Sequence, residues 1–241
     1  MTLSRLELDW LTKAAKDETQ LQNFIQRANA GEPIAKIIGY KGFWKHEFMV
    51  SKDVLDPRPD SETLIEAVLE CFPDKQAPLH ILDLGTGSGC LIISLLNEYK
   101  NADGVAVDIS EKALAIAKQN ATGLPIDFIQ ADMHSLPDNI GKFDIIISNP
   151  PYIPSADINQ LDNAVKNYDP HLALDGGTDG LDFYRAIAQI QLSPALFVEI
   201  GQGQENDVIS IMQQHGWTHH KSWKDLGSIT RVLAFKASIS G

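Results

Sequence analysis

The 241-residue chain is expected to fold as a doubly wound α/β domain placed behind a short helical segment and a β-hairpin. Three observations carry this. After Pro78, short continuous apolar runs alternate with stretches of helical spacing, the pattern of buried parallel strands joined by crossover helices. The first of those runs ends in the glycine-rich turn Gly85-Thr86-Gly87-Ser88-Gly89, at the strand end where open α/β sheets bind their ligands. Before Pro78, helical spacing breaks at Gly31-Glu32-Pro33 and a β-branched and aromatic stretch follows. With 44% apolar and 22% charged residues there is material for one sizeable core and a small second one, which excludes disordered and collagen-like chains.

Residues 3–30 place Leu3, Leu6, Leu8, Trp10 and Leu11, then Leu21, Phe24 and Ile25, broadly at helical spacing, so two short helices are expected. Ile37, Ile38, Tyr40, Phe43, Trp44, Phe48 and Val50, around Gly39 and Gly42, predict a hairpin over 34–50. Asp56-Pro57-Arg58-Pro59-Asp60 is a stiff extended segment leading into a helix over 61–72, with Asp60 or Ser61 as its cap and Glu62 in its first turn. Strands are then expected over 79–84, 104–107, 126–129, 143–148 and 195–200, with a late pair near 217–223 and 231–235, and helices over 90–99, 111–120, 180–191 and 205–215. The domains follow as 1–33 (helical), 34–55 (hairpin connector) and 56–241 (α/β).

Twenty basic against 32 acidic residues leave a net charge of −12, so a non-specific binder of nucleic acid or anionic membrane is not expected. Two cysteines, Cys71 and Cys90, are too few for a disulfide scaffold and read as small packing residues in a reducing compartment. The first residues interrupt their apolar positions with Arg5, Glu7, Asp9 and Lys13, and no apolar run reaches membrane-spanning length. A cytoplasmic protein is expected.

The glycine loop reads G-x-G-x-G, with cysteine at position 90, rather than the G-x-G-x-x-G of dinucleotide sites, and no GKS or GKT follows, so NAD and a nucleoside triphosphate are both disfavoured. Gly85, Thr86, Gly87, Ser88 and Gly89 are nonetheless placed to let a ligand lie against bare backbone. Asp108 ends the second strand, 23 residues after Gly85, where an acid can accept from both hydroxyls of a ribose; capping the next helix is its alternative role. Met133 can pack against an adenine ring and Asp132 can accept from its amino group. A nucleoside held without a pyrophosphate site or a basic cluster, in a crevice bearing Asp83, Asp108 and Asp132, points to S-adenosyl-L-methionine, whose sulfonium is positive. The chemistry expected is methyl transfer.

The fourth strand runs into Asn149-Pro150-Pro151-Tyr152. Two prolines remove two backbone donors and stiffen the edge, so the Asn149 side-chain oxygen and the Pro150 carbonyl can each accept one N–H from a planar NH2 group and aim its nitrogen at the methyl carbon. Tyr152 can cover the flat face of the reacting group. Asn149, Pro150 and Tyr152 are therefore the candidate catalytic residues, Asn149 also borders the cofactor, and Asn149 to Tyr152, with Pro151, form the candidate substrate edge.

The glycine loop followed by N-P-P-Y resembles the class I S-adenosyl-L-methionine-dependent methyltransferases that modify planar amino groups. Gly31-Glu32-Pro33-Ile34-Ala35 with Ile38-Gly39 and Phe43-Trp44, then Pro57-Arg58-Pro59-Asp60-Ser61-Glu62, then Val198-Glu199-Ile200-Gly201, narrow the likeness to the peptide chain release factor glutamine methyltransferases, the HemK/PrmC family. The resemblance runs from about Gly31 to the carboxyl end. It implies a Rossmann-like seven-stranded sheet with its last strand antiparallel, and a helical amino-terminal domain joined by a hairpin. It also implies methylation of the side-chain amide nitrogen (N5) of the Gly-Gly-Gln glutamine in class I release factors. Carried over position by position, Gly85 to Gly89 and Asp108 would hold the cofactor, Met133 would flank its adenine and Asn149 to Tyr152 would hold the glutamine. Thirty residues precede Gly31, fewer than is usual in the family, and Met133 stands where an aromatic often stands.

Seven histidines show no zinc spacing, and Gly216 should end the helix that would align His215 with His219. Glu199 is read as an electrostatic partner of the site or as a cap, Arg58 as a substrate guide or as the partner of a nearby acid. Two other functions compete. DNA-adenine or RNA-base methyltransferases use the same N-P-P-Y edge but need a basic recognition surface, and a non-catalytic cofactor-binding module has no need of Asn149.

Overall fold

The computed structural model describes residues 3–237; Met1, Thr2 and residues 238–241, at the outer ends of the first and last expected domains, lie outside it. Helix α1 (Arg5–Ala14) begins in a reciprocal cap, the Ser4 hydroxyl accepting from the Glu7 N–H at 3.2 Å and the Glu7 carboxylate from the Ser4 N–H at 2.7 Å. Helix α2 (Glu18–Asn29) is capped by Asp17. At its end Arg27 grips Glu32 through two bonds of 2.8 and 2.6 Å, which gives the Glu32 of the Gly31-Glu32-Pro33 turn a structural task. Leu11, Phe24, Ala28 and Ile37 close a small core of their own.

Residues 34–38, expected as the start of a strand, form helix α3 (Ile34–Ile38). The apolar run is the same, but Pro33 opens it and Gly39, at φ 84°, closes it with the N–H of Gly39 on the Ala35 carbonyl, so Ile37 turns into the helical core. The hairpin is shorter than expected, β1 (Tyr40–Phe43) against β2 (His46–Met49). Its turn places Trp44 at φ 53°, an uncommon conformation for a bulky residue, and holds it there from outside the hairpin. The Glu62 carboxylate accepts the Trp44 N–H at 2.6 Å, and Glu98 accepts the indole N–H at 2.8 Å and pairs with Lys45.

After a 3-10 turn (Pro59–Ser61), helix α4 (Glu62–Cys71) packs on the main sheet. Neither Asp60 nor Ser61 caps it as expected; the preceding 3-10 turn takes up the first N–H groups, and the Ser61 side chain is used elsewhere. The chain then alternates β3 (His80–Leu84), α5 (Cys90–Glu98), β4 (Asp103–Asp108), α6 (Glu111–Asn120), β5 (Ile126–Gln130) and β6 (Ile145–Ser148). A long connection carries α7 (Asn163–Tyr168), after which come α8 (Asp182–Ala188), β7 (Ala195–Glu199), α9 (Glu205–Gln214), β8 (Trp217–Lys224) and β9 (Thr230–Ala237). The seven-stranded sheet runs β5-β4-β3-β6-β7-β9-β8, parallel except for β9, which is antiparallel to both neighbours.

The continuous apolar runs are explained by two cores. Ile81, Ile145, Ile147 and Phe197 face one side of the sheet, while Leu82, Leu84, Ile146, Leu196 and Val198 face the other. Each fully buried Leu or Ile contributes about 1.5–3 kcal/mol over an exposed one. Helix α8 is shorter than the expected 180–191 because Gly180 takes φ 75° and α8 starts only at Asp182. Cys71 and Cys90 are free, and burial pushes the Cys90 thiol up to about 12, so it packs rather than reacts.

Candidate active site

A cavity of about 260 Å³ opens at the carboxyl ends of β3, β4 and β5, beside the switch point where β3 neighbours both β4 and β6. Its floor is the glycine loop, held to the sheet by the Gly85 and Thr86 N–H groups, both on the Val107 carbonyl at 2.9 and 3.0 Å. Of the expected loop residues, Gly85 and Gly87 line the cavity. Thr86, Ser88 and Gly89 do not. The Thr86 hydroxyl turns inward to the buried Asp83 carboxylate at 2.7 Å, and Ser88 is buried with its carbonyl on Asn120. Gly89, at φ 82°, lies so close to α5 and α6 that a Cβ would meet Ile93 at 2.8 Å and Ala117 at 3.3 Å. These three shape the loop from behind.

Asp108 lines the wall. One carboxylate oxygen accepts the Gly87 N–H and the other the Ser110 N–H, each at 2.9 Å, so Asp108 ties the glycine loop to the start of α6 while Ser110 itself caps that helix. Burial raises its pKa, and those backbone donors oppose the rise. Each oxygen keeps a second lone pair. Met133 also lines the cavity, close enough to Gly85 that a Cβ there would stand 3.3 Å from its methyl. Asp132 borders it with one oxygen engaged by the His134 N–H and ring, which lowers its pKa.

On the opposite wall stand Asn149 and Pro151. The Asn149 amide nitrogen donates to the Ser61 hydroxyl at 3.0 Å, leaving Oδ1 without a donor among the described residues. Pro150 is buried, and Tyr152 is placed off the cavity wall: its ring packs on the second core and its hydroxyl donates to Glu199 at 3.4 Å. Glu199, at the end of β7, is 1% exposed, and burial pushes it up to about 7. Asp83, in β3, is likewise raised to about 7 by burial.

Four features of this site were not read from the sequence. Ser61 is one. Gln204 is another, its amide donating to the Tyr152 carbonyl at 3.0 Å and its oxygen accepting the Gly201 N–H at 2.9 Å. Gly176 and Gly180 lie against the same segment, where a Cβ would meet the Tyr152 Cα at 2.8 Å and the Tyr152 carbonyl at 2.4 Å respectively. Finally, Asp53, Val54 and Leu55 with Pro170 and Leu172 complete the cavity wall from two distant loops, joined by Phe183 of α8. Runs of glycine near an N-P-P-Y segment are a signal that could have marked 176–180; the two loops carry none. Arg58 turns out to pair with Asp169 at 2.5 Å. Among the described residues no cluster of histidine, cysteine and carboxylate groups fits a metal ion.

Sheet order, glycine loop and acid-tipped second strand together define a methyltransferase of the α/β class, and residues 81–176 match the methyltransferase domain family. The magnesium protoporphyrin IX methyltransferase of Synechocystis PCC 6803, solved with bound S-adenosyl-L-methionine, shares the fold at a TM-score of 0.50 and 21% identity, over 74% of this chain and 79% of that one. The sequence is 42% identical to a release factor glutamine methyltransferase of Rhodospirillum rubrum, over 92% of this chain and 70% of that protein, and 44% identical to one of Bradyrhizobium diazoefficiens, over 93% and 78%. The chain belongs to the release factor glutamine methyltransferases. No helix among the described residues is long and apolar enough to cross a membrane.

Proposed function

We propose that this chain transfers the methyl group of S-adenosyl-L-methionine to the side-chain amide nitrogen of the glutamine in the Gly-Gly-Gln motif of class I peptide chain release factors. The observation that carries the reading is Asn149: it borders the cavity with its own nitrogen engaged by Ser61, which leaves its oxygen to accept from a substrate NH2.

The residues present fit the cofactor. No lysine or arginine lines the cavity, three carboxylates do (Asp53, Asp108 and Asp132), and the remainder is mostly apolar, which suits a cationic nucleoside and not a phosphate. Asp108 would take the ribose hydroxyls on its spare lone pairs, Gly85 and Gly87 would bare their backbone to the ligand, and Met133 would flank the adenine. When bound, S-adenosyl-L-methionine supplies a methyl group on a positively charged sulfur. The chain's part is placement. Asn149 Oδ1 and the Pro150 carbonyl hold the substrate nitrogen and favour the positive charge that develops on it, and orientation of this kind is worth up to about 7–11 kcal/mol. Pro151 stiffens the edge, and Tyr152, anchored on Glu199, supports it.

In the first domain, 1–33, helices α1 and α2 serve as a docking surface for the release factor, and the 34–55 segment connects them to the catalytic domain at 56–241. The partner is a protein met in the cytoplasm, and neither nucleic acid nor membrane takes part directly; the charge of −12 supports this. The test is incubation with methyl-labelled cofactor and a purified release factor, the same factor with its motif glutamine replaced, or DNA and RNA. Label is expected on the unaltered factor alone. Label on nucleic acid, or equal label on the glutamine-replaced factor, overturns the reading.

A further inference from the structure

We propose that Ser61 and Glu199 are positioning residues that fix which end of the Asn149 carboxamide faces the substrate. The inference rests on the reading above, in which Asn149 accepts from the substrate nitrogen. A carboxamide can turn over about its last torsion with little steric cost, exchanging oxygen for nitrogen, so its hydrogen bonds alone decide which one is presented. Turned over, Asn149 would offer N–H donors to an NH2 group that also needs acceptors.

The geometry selects one orientation. Asn149 Nδ2 donates to Ser61 Oγ at 3.0 Å, so a Ser61 lone pair faces Asn149 and the single Ser61 proton must point elsewhere. Beside it stands the buried Glu199 carboxylate, near enough for Ser61 to hold its pKa down. Glu199 Oε1 accepts from Tyr152, while Oε2 is a buried acceptor with no hydrogen-bond partner among the described residues, on the side open to the Ser61 proton. An ionised carboxylate only accepts. A charged Glu199 therefore draws the free Ser61 proton to its own side and leaves the Ser61 lone pair to Asn149, an arrangement that cannot reverse while Glu199 is charged. Ser61 and Glu199 are 2% and 1% exposed, so water does not replace either. A neutral group at 199 could donate to Ser61, whose proton could then turn to Asn149 and flip it. The groups that face Glu199 are Ser61 and Asp60 from the 3-10 turn, Tyr152, Tyr184 from α8, Arg231 from β9 and Cys90 at the start of α5; Asp60 raises its pKa, while Ser61, Arg231 and Tyr152 lower it, against a larger rise from burial.

Glu199→Gln and Ser61→Ala are compared with the unaltered chain, using a full-length release factor and saturating labelled cofactor. Each is expected to lower kcat roughly 10- to 100-fold with the cofactor Kd changed less than about twofold, and the double variant is expected to be no worse than the more damaged single one, because the two act as one unit. In the unaltered chain kcat should rise with pH to a plateau above about 7, and this rise should be missing in Glu199→Gln. Glu199→Gln turning over at the unaltered rate, or keeping the same pH rise, overturns the proposal. If Glu199→Gln does not fold, an unaltered kcat in Ser61→Ala overturns it equally. An unaltered chain that leaves the release-factor glutamine unlabelled instead refutes the function itself, and the two failures are thereby told apart.

Discussion

Lys36, on the short helix α3, and Asp169, at the end of α7, meet at 3.2 Å with their side chains 3% and 4% exposed. The same ammonium holds Asp56 at 2.8 Å and the carbonyls of Ser51 and Val54 at 2.8 and 2.6 Å, while Arg58 takes the other oxygen of Asp169 at 2.5 Å. Two cations and two carboxylates thus clasp the loop at 51–56 to the segment at 169–173, and both lengths of chain contribute to the cavity wall.

Removing the central cation should be expensive. Lys36→Met leaves Asp56 and Asp169 buried without it, and breaking a buried pair from one side costs about 3–5 kcal/mol. Urea unfolding of the variant should show a loss of that order, with weaker cofactor binding as the loops loosen. A loss under about 1 kcal/mol would mean that the clasp is incidental.

Asp108→Ala should weaken cofactor binding before it touches anything else. The Gly87 and Ser110 N–H groups lose their acceptor, the ribose hydroxyls would lose the one proposed for them, and each hydrogen bond to a charged group is worth roughly 1.5–3 kcal/mol. A rise of about 10- to 100-fold or more in the Kd for S-adenosyl-L-methionine is expected by calorimetry; an unchanged Kd contradicts the contact.

Asn149→Ala should do the opposite. With the nitrogen acceptor gone, turnover should fall by about 100- to 1000-fold, as for loss of a donor or acceptor aimed at developing charge, while cofactor binding persists. Single-turnover labelling alongside a cofactor titration separates the two, and loss of cofactor binding as the sole defect would count against the assigned role.

Gly180→Ala tests the support behind the substrate edge. At φ 75° a side chain is strained, and the new Cβ would lie 2.4 Å from the Tyr152 carbonyl, so the Asn149–Tyr152 segment has to shift. A stability loss of about 1–3 kcal/mol is expected together with a disproportionate drop in kcat. Unchanged kinetics would show that the edge tolerates displacement.

The two buried acids make stability depend on pH. Asp83 and Glu199 titrate near 7 in the folded chain, against ordinary values of 3.8 and 4.5. Between those limits the folded state holds protons that the unfolded state has released, so stability falls as pH rises from about 5 to about 7 and levels off beyond, by a few kcal/mol in all. Below about 4 the carboxylates whose pKa is lowered, such as Asp175 and Asp225, lose their contribution instead. Urea midpoints at pH 5, 6, 7 and 8 should decline in that order, and Glu199→Gln should flatten the decline. A midpoint that climbs from pH 5 to pH 8 would refute it.

Much of the fold was legible because the signals involved are local. Ile145, Ile146 and Ile147 in a row declare a strand buried on both faces, Gly216 at φ 85° ends the helix before it, and the glycine loop must follow a strand and precede a helix to be useful at all. The same locality explains the errors. Ile37 and Ile38 satisfy strand and helix alike, and Gly39 closed the helix; Ser61 has the chemistry of a cap, and a 3-10 turn freed it for another use.

By its own pattern the sequence determined the sheet, the glycine loop, the acid at the end of β4 and the position of Asn149 at a strand end, since backbone conformation and burial are written in neighbouring residues. Only the tertiary structure decided that Ser61 would hold Asn149 across 88 positions, that Arg58 would find Asp169 across 111, and that Tyr152 would turn to Glu199. The physical reason is that a side-chain partner is chosen by where packed elements meet, and a polar residue carries the same donors and acceptors wherever the chain puts it.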